Sequence, residues 1–217
     1  MSVDRQAEPS DAALLDEWRG GALGAGERLF RRHYNAVERF FLNKVAAEHV
    51  GDLVQESFVA CVEGRDRVSD GARFRGYLLT IAYRVFCRYL RGKYRSEAVL
   101  DLDAISVAEV GASPSSVVAR AREQRLLLEG LRLIPINYQV VLELHYWEHL
   151  TTTEIAQIIG VPPGTVRSRL QRARDALSAA MARVARSPDL LESTLTRLDD
   201  WARACGPELV GLPMDAR

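Results

Sequence analysis

TTTEIAQIIGVPPGTVRSRLQRAR, running from Thr151 to Arg174, carries the signals of a short helix, a tight turn and a second, arginine-rich helix. Thr151 and Glu154 have capping-box spacing, a hydroxyl for the helix start and a carboxylate that reaches back. Ile155, Ala156 and Ile159 give the short helix a small apolar face. Gly160 stands where a helix end adopts left-handed dihedrals. Pro162 and Pro163 stop one helix and open the next, because a proline at the first helical position sacrifices no intrahelical bond. Val166, Leu170, Ala173 and Leu177 then recur at i, i+4, i+7 and i+11, one buried stripe. Thr165, Arg167, Ser168, Gln171 and Arg172 are left facing outward, and these residue types reach phosphates and base edges in a major groove. A solvated basic helix shares that composition. The preceding short helix and tight turn favour helix-turn-helix.

Composition sets the bounds around this stretch. The 217 residues suffice for one or two domains, and 47% hydrophobic content is ordinary for a chain that buries a core. Lys and Arg together number 29, as do Asp and Glu, so the chain is not basic throughout. The charges are nevertheless segregated. Asp4, Glu8, Asp11, Asp16 and Glu17 face Arg5 alone near the start, whereas six arginines between Arg167 and Arg186 face only Asp175. A local basic patch, more than net charge, is the footprint of nucleic-acid binding. Cys61, Cys87 and Cys205 form no CxxC pair, which fits a reducing compartment and gives no zinc site. His145 and His149 lie at i, i+4, but no cysteine or carboxylate set completes a metal site. No apolar leader core and no run long enough to span a bilayer is present, so the expectation is a cytoplasmic protein without membrane insertion.

Taken in order, the chain is a succession of helical patterns. Asp11 is positioned to cap a short helix bearing Leu14, Leu15 and Trp18, broken by Gly20, Gly21, Gly24 and Gly26. Leu29, Phe30, Tyr34, Val37, Phe41 and Val45 follow at helical spacing, with Gly51 as the next break. In DLVQESFVACVE, residues 52–63, the residues Leu53, Val54, Phe58 and Val62 face inward, and Asp52, Gln55, Glu56 and Glu63 form a polar row that by itself reads as a solvated face. After a charged loop from Gly64 to Gly71, a helix over Arg73–Arg91 directs Phe74, Leu78, Ile81, Val85 and Tyr89 inward. A face about 100° round carries Tyr77, Thr80, Arg84, Arg88 and Arg91. Arginines along a groove with an aromatic for stacking suit single-stranded DNA; packed tyrosine with solvated arginines is the bland alternative. Residues 96–116 are acidic and rich in Gly, Ser and Pro at their end, a flexible linker. Leu127, Leu131 and Ile134, then Val140, Val141, Leu144 and Trp147, lead into the opening stretch. Beyond Ser187-Pro188, Leu191, Leu195, Leu198, Ala202 and Cys205 form a tail stripe with mainly acidic neighbours. The expected fold is all-α: helical domains over 11–95 and 117–186, the linker over 96–116, and a C-terminal extension over 187–217.

No GxGxxG, GxxxxGK[ST], HExxH or GxSxG pattern occurs, and the carboxylates and four histidines form no recognisable catalytic arrangement. The reading is a binding protein, not an enzyme, with no cofactor and no metal.

Two segments flanking the linker match one family together. DLVQESF at 52–58 resembles the DLVQEVF signature of region 2 in sigma-70 family factors, and FRGYLLTIAYR at 74–84 resembles its FRxWLxxIARN segment. Tyr146–Leu150 through Thr165–Arg174 looks like region 4, with its YYEGLSYxEIAxxLGxxxGTVKSRLxRAR pattern. Region 4 alone also suits a LuxR-like regulator, whereas regions 2 and 4 in this order and length are similar to the extracytoplasmic-function (ECF) group. The resemblance implies a factor that binds core RNA polymerase and directs it to promoter DNA. Asp52, Gln55, Glu56 and Phe58 would meet the β′ clamp helices, overturning the solvated-face reading. Phe74, Tyr77, Thr80, Arg84, Arg88 and Arg91 would lie along the melted −10 element. Thr165, Arg167, Ser168, Gln171 and Arg172 would enter the −35 major groove, with the β flap as region 4's protein contact. The linker would thread toward the RNA exit channel.

Departures from the pattern also stand in the sequence. Tyr77 replaces the usual Trp, Arg84 the usual Asn, and His149 the usual Gly. The tail from Ser187 lies beyond the usual family end. Its apolar stripe would pack on region 4, receive an anti-sigma factor, or lay acidic charge against the basic helix as an autoinhibitory cover.

Overall fold

A computed structural model describes residues 8–68, 70–93, 101–108, 122–196 and 200 of the chain. Among them are nine α-helices and no strand, the one β-type contact being an isolated antiparallel bridge between Ser106 and Pro135. The first unit holds α1 (Asp11–Arg19), α2 (Leu23–Leu42), α3 (Ala47–Gly64) and α4 (Phe74–Lys93). The second holds α5 (Arg122–Arg132), α6 (Ile136–Tyr146), α7 (Thr152–Ile159), α8 (Pro163–Val184) and α9 (Pro188–Thr196).

In the first unit the apolar spacing does what it predicts, while several punctuation marks shift. Leu14, Leu15 and Trp18 are buried in α1, but its cap is Ser10, whose hydroxyl accepts from the Ala13 amide at 3.2 Å. Asp11 instead accepts from Arg32 Nη1 and sits against His33 Nε2, both at 2.7 Å. Gly20 and Gly21 end α1, whereas Gly24 and Gly26 lie inside α2. Gly26 is there for space: a Cβ would come within 2.7 Å of the Trp18 indole. Gly51 lies within α3, and the break falls at Asn43–Ala46, where Val45 remains buried beyond the helix end. Leu29, Val37, Phe41, Leu53, Leu78 and Phe86 close the core, with Phe40 meeting Phe86 edge-on at 6.0 Å. Val62, expected inside, is 42% exposed.

In the second unit the opening stretch folds as its residues dictate. Both halves of the Thr151–Glu154 capping box form, the Glu154 carboxylate accepting from the Thr151 amide at 2.8 Å. Those bonds hold the Glu154 carboxyl below the usual carboxylate range. Gly160 adopts φ 73°, a conformation L side chains resist, and its amide closes α7 on the Ala156 carbonyl. Pro162 is the N-cap of α8 and Pro163 its first residue. Val166, Leu170, Ala173 and Leu177 are buried, against α5, α6 and α7. Thr151→Ala is expected to cost about 1 kcal/mol of stability, read as a lowered urea midpoint, because it leaves amides of the first turn without their partner. His149, at the family's glycine position, has φ 53°, so the departure places a side chain in left-handed backbone.

The linker differs from its composition. Residues 101–108 are docked on the second unit. The Ile136 and Asn137 amides donate to the Ile105 and Leu102 carbonyls at 2.9 and 3.0 Å, and the Ala108 amide donates to the Arg132 carbonyl. Val107 is fully buried. The flexible remainder expected at 96–100 and 109–116 lies outside the described residues. In the tail, α9 packs on α5 and the end of α8, burying Thr194. That position is remote from Arg167–Arg172 at the other end of α8, so the described part of the tail gives no acidic cover over them. The stripe's Leu198, Ala202 and Cys205 lie outside the described residues.

Candidate nucleic-acid interface

Three helix faces carry the residues singled out by sequence. On α3, Asp52 and Gln55 are exposed, Glu56 and Phe58 half-buried. The Phe58 ring lies 4.7 Å from Phe30 and stacks at 6.2 Å on Tyr34. Val59 and Val62 stand exposed beside them, at 50% and 42%. The α3 face is therefore acidic along one side and apolar along the other, the anatomy of a protein contact with an apolar centre and polar rim.

On α4, Arg84, Arg88 and Arg91 are exposed, and Tyr77 and Thr80 are half-buried. The Tyr77 hydroxyl donates to the Gly64 carbonyl at 2.9 Å, which fixes the ring at the end of α3. Thr80 donates back to the Gly76 carbonyl at 2.8 Å. Arg88 forms an ion pair with Glu56, joining the α3 and α4 faces. Phe74 does not belong with them. It is fully buried, 5.6 Å from the His33 ring, so its apolar body serves the core and presents nothing to DNA.

On α8, Arg167, Ser168, Gln171 and Arg172 are exposed and Thr165 is partly so. The basic helix is thus sorted by its own period. Arg174 turns inward, its Nε donating to the Tyr146 hydroxyl at 2.9 Å with the guanidinium 5.6 Å from the ring centroid. Arg169 pairs with Asp103 of the docked linker at 2.9 Å, and Asn137 Nδ2 donates to the same carboxylate at 3.0 Å. Arg167 and Arg172 are left as the outward cations of that turn. The charge count did not reveal this division, whereas the buried stripe, extended to its flanks, does.

A further constellation, unmarked in the sequence, lies between the units. Lys44, wholly buried in the turn after α2, forms an ion pair with Glu143 of α6. Arg39 of α2 and Arg75 of α4 both pair with Glu148, the former at 2.7 Å. Burial pushes the Lys44 ammonium down from its ordinary value and the Glu143 carboxyl up, each drawn back by the other. No periodicity marks these residues, because their partners lie 73 to 109 positions away.

The remaining titratable chemistry is structural. Burial raises the Cys61 thiol to about 12, far from the thiolate a reactive cysteine needs. His145 turns Nδ1 to the Leu150 carbonyl at 3.1 Å. Among the described residues there is no group of three or more His, Cys, Asp or Glu placed to hold a metal ion, and no helix long and apolar enough to cross a membrane.

The Sigma-70 region 2 family model matches residues 29–96, and the Sigma-70, region 4 model matches 124–177, together more than half of the chain. The ECF RNA polymerase sigma-E factor of Haemophilus influenzae is 27% identical over 175 residues, 76% of this chain and 92% of the relative. The sigma-E factor of Escherichia coli is likewise 27% identical, over 176 residues, 77% of this chain and 92% of that one. Two solved structures share the fold. CnrH, in complex with the cytosolic domain of CnrY, gives a TM-score of 0.57 at 24% identity, covering 82% of this chain and all of that one. The RpoE of Bartonella quintana, in complex with the anti-sigma factor NepR, also gives 0.57, at 20% identity, covering 74% and 98%.

Proposed function

The chain belongs to the sigma-70 family, a sigma factor of the ECF type that directs transcription initiation, and from that premise we propose how its three faces divide the work. The α3 face, with Asp52, Gln55, Glu56 and Phe58, docks on the β′ clamp helices of core RNA polymerase. The α4 face, with Tyr77, Thr80, Arg84, Arg88 and Arg91, tracks the melted −10 strand, the arginines on phosphates and the ring available for stacking. Thr165, Arg167, Ser168, Gln171 and Arg172 enter the −35 major groove, and the second unit's protein contact is the β flap. The first unit is the 11–95 domain. The −35 module is the 117–186 domain with residues 101–108 added, since those supply its hydrogen bonds. The factor acts by binding, in the cytoplasm, and the chemistry of RNA synthesis stays with the polymerase. An anti-sigma factor is a candidate partner, because RpoE is held by one, NepR.

The observation that carries this reading is the sorting of α8: a buried apolar stripe with Arg167, Ser168, Gln171 and Arg172 together on the open side, behind a complete helix-turn-helix. Run-off transcription with core polymerase on a genomic promoter library is expected to yield start sites that depend on this protein. No factor-dependent transcript would overturn the reading. Arg172→Ala is expected to weaken −35 binding by about 1–3 kcal/mol, roughly five- to a hundred-and-fiftyfold, and to leave core binding unchanged. Tight duplex binding without stable core association would instead identify a free-standing helix-turn-helix regulator.

A further inference from the structure

The two units, which must reach separate DNA elements, are closed on each other by a buried polar clasp. Lys44 at its centre is wholly buried, and Glu143, Glu148 and Gln139 are at least 96% buried. Gln139 Nε2 ties the two sides further, donating to the Asn43 carbonyl at 3.1 Å and to Glu143 Oε1 at 2.7 Å. Arg39 and Arg75 converge on Glu148. Beside the clasp α7 lies against α4. Tyr77, Thr80, Arg73 and Arg75 form one wall of a cleft of about 610 Å³ whose other wall is Thr151, Glu154 and Gln157.

This arrangement does not fit a promoter. Elements centred near −10 and −35 are about 25 base pairs apart, about 85 Å along B-form DNA at 3.4 Å per step. Helices in contact lie only about 8–10 Å apart, axis to axis. With α7 on α4, the −35 helix next to α7 is within a few such spacings of the −10 face. The same contact confines Tyr77 and Thr80 in a cleft. The polar part of the interface is suited to opening. Buried ion pairs return little net stability, because their mutual attraction is largely offset by the hydration they forgo. Opening exchanges the Lys44–Glu143 pair for contacts with water, so little net attraction is lost.

We propose that the pairs Lys44–Glu143 and Arg39/Arg75–Glu148 are a reversible clasp that holds the free chain in a closed resting form, unable to bridge the two promoter elements until region 4 swings away from region 2. The functional half of this inference rests on the sigma-factor reading; the clasp itself does not. It is tested on the full chain by small-angle scattering without polymerase. The wild type is expected to show a radius of gyration near the compact value for its length, about 17 Å. Glu143→Lys with Glu148→Lys sets like charges against Lys44, Arg39 and Arg75, and is expected to raise it by about 5 Å or more while helix content by circular dichroism stays unchanged. Lys44→Glu combined with Glu143→Lys exchanges the central pair and is expected to return most of the compaction. A wild type already extended, a reversal variant that stays compact, or an exchange that restores nothing overturns the clasp. In a parallel titration the reversal variant is expected to bind core polymerase roughly five- to tenfold more tightly, since it no longer opens a closed form first. Unchanged affinity alongside an expanded chain overturns the resting-form role. A wild type that never binds core counts against the sigma-factor reading and leaves the scattering result standing.

Discussion

Asp52→Arg is expected to lower affinity for core RNA polymerase by about 2–5 kcal/mol, roughly thirty- to several-thousandfold, while leaving the fold and the −35 affinity intact. Asp52 is exposed on α3, so a long cation there costs the fold little. Its effect lies in the partner. Asp52, Gln55 and Glu56 edge an apolar strip of Phe58, Val59 and Val62, and that composition calls for a surface with a basic rim and an apolar centre. Reversing the charge loses one attraction and adds one repulsion at the same place. Competition of labelled wild type against the variant for core enzyme reads the loss directly, and promoter-directed transcripts should recover as the variant is raised toward saturation. Arg172→Ala supplies the opposite pattern, weak at the −35 element and normal on core. Equal affinity of wild type and Asp52→Arg for core would remove α3 as the docking face.

What the sequence made legible follows from where the deciding interactions lie in the chain. Thr151 with Glu154, Gly160 and Pro163 act on neighbours within four positions, so the helix-turn-helix is written locally, and each residue behaves as its local chemistry demands. The α8 stripe likewise needs only the helical period. Faults appear where a residue's role is set at a distance. Gly26 looks like a helix breaker until Trp18 of the preceding helix is seen to occupy the space a Cβ would need. Phe74 shares its helix with Tyr77 and Thr80 but sits on the inward side, against His33. Asp103 reads as one acid in an acidic tether, yet it gathers Arg169 and Asn137, 66 and 34 positions away. The clasp is the extreme case, since Lys44 and Glu143 are unremarkable charges in sequence and are buried as a pair across 99 positions.

Replacing residues 102–107 with glycine and serine of equal length is expected to destabilise the second unit by about 3–5 kcal/mol. A tether chosen for flexibility would tolerate that change with no effect, and the acidic, weakly apolar composition suggests such a tether. The docked conformation argues otherwise. Val107 is fully buried, and Leu102 and Ile105 are packed against the core from outside. Burial of an aliphatic side chain contributes about 1.5–3 kcal/mol, more for the enclosed valine than for its half-covered neighbours. The carbonyls of Leu102 and Ile105 also serve the first-turn amides of α6, donors that a helix cannot satisfy from within. A glycine-serine chain keeps the carbonyls but loses the side chains that hold them in place. For a unit of 60–100 residues about 1 kcal/mol moves the thermal midpoint by about 4–8 °C, so the second unit should melt more than about 10 °C earlier. Hydrogen exchange at the Ile136 and Asn137 amides separates this from a change in the first unit, because those two should lose protection most. The same strap holds Asp103 on Arg169, so the replacement also frees a cation on the recognition helix for phosphate. Unchanged melting and unchanged exchange would return residues 101–108 to the role of a passive tether.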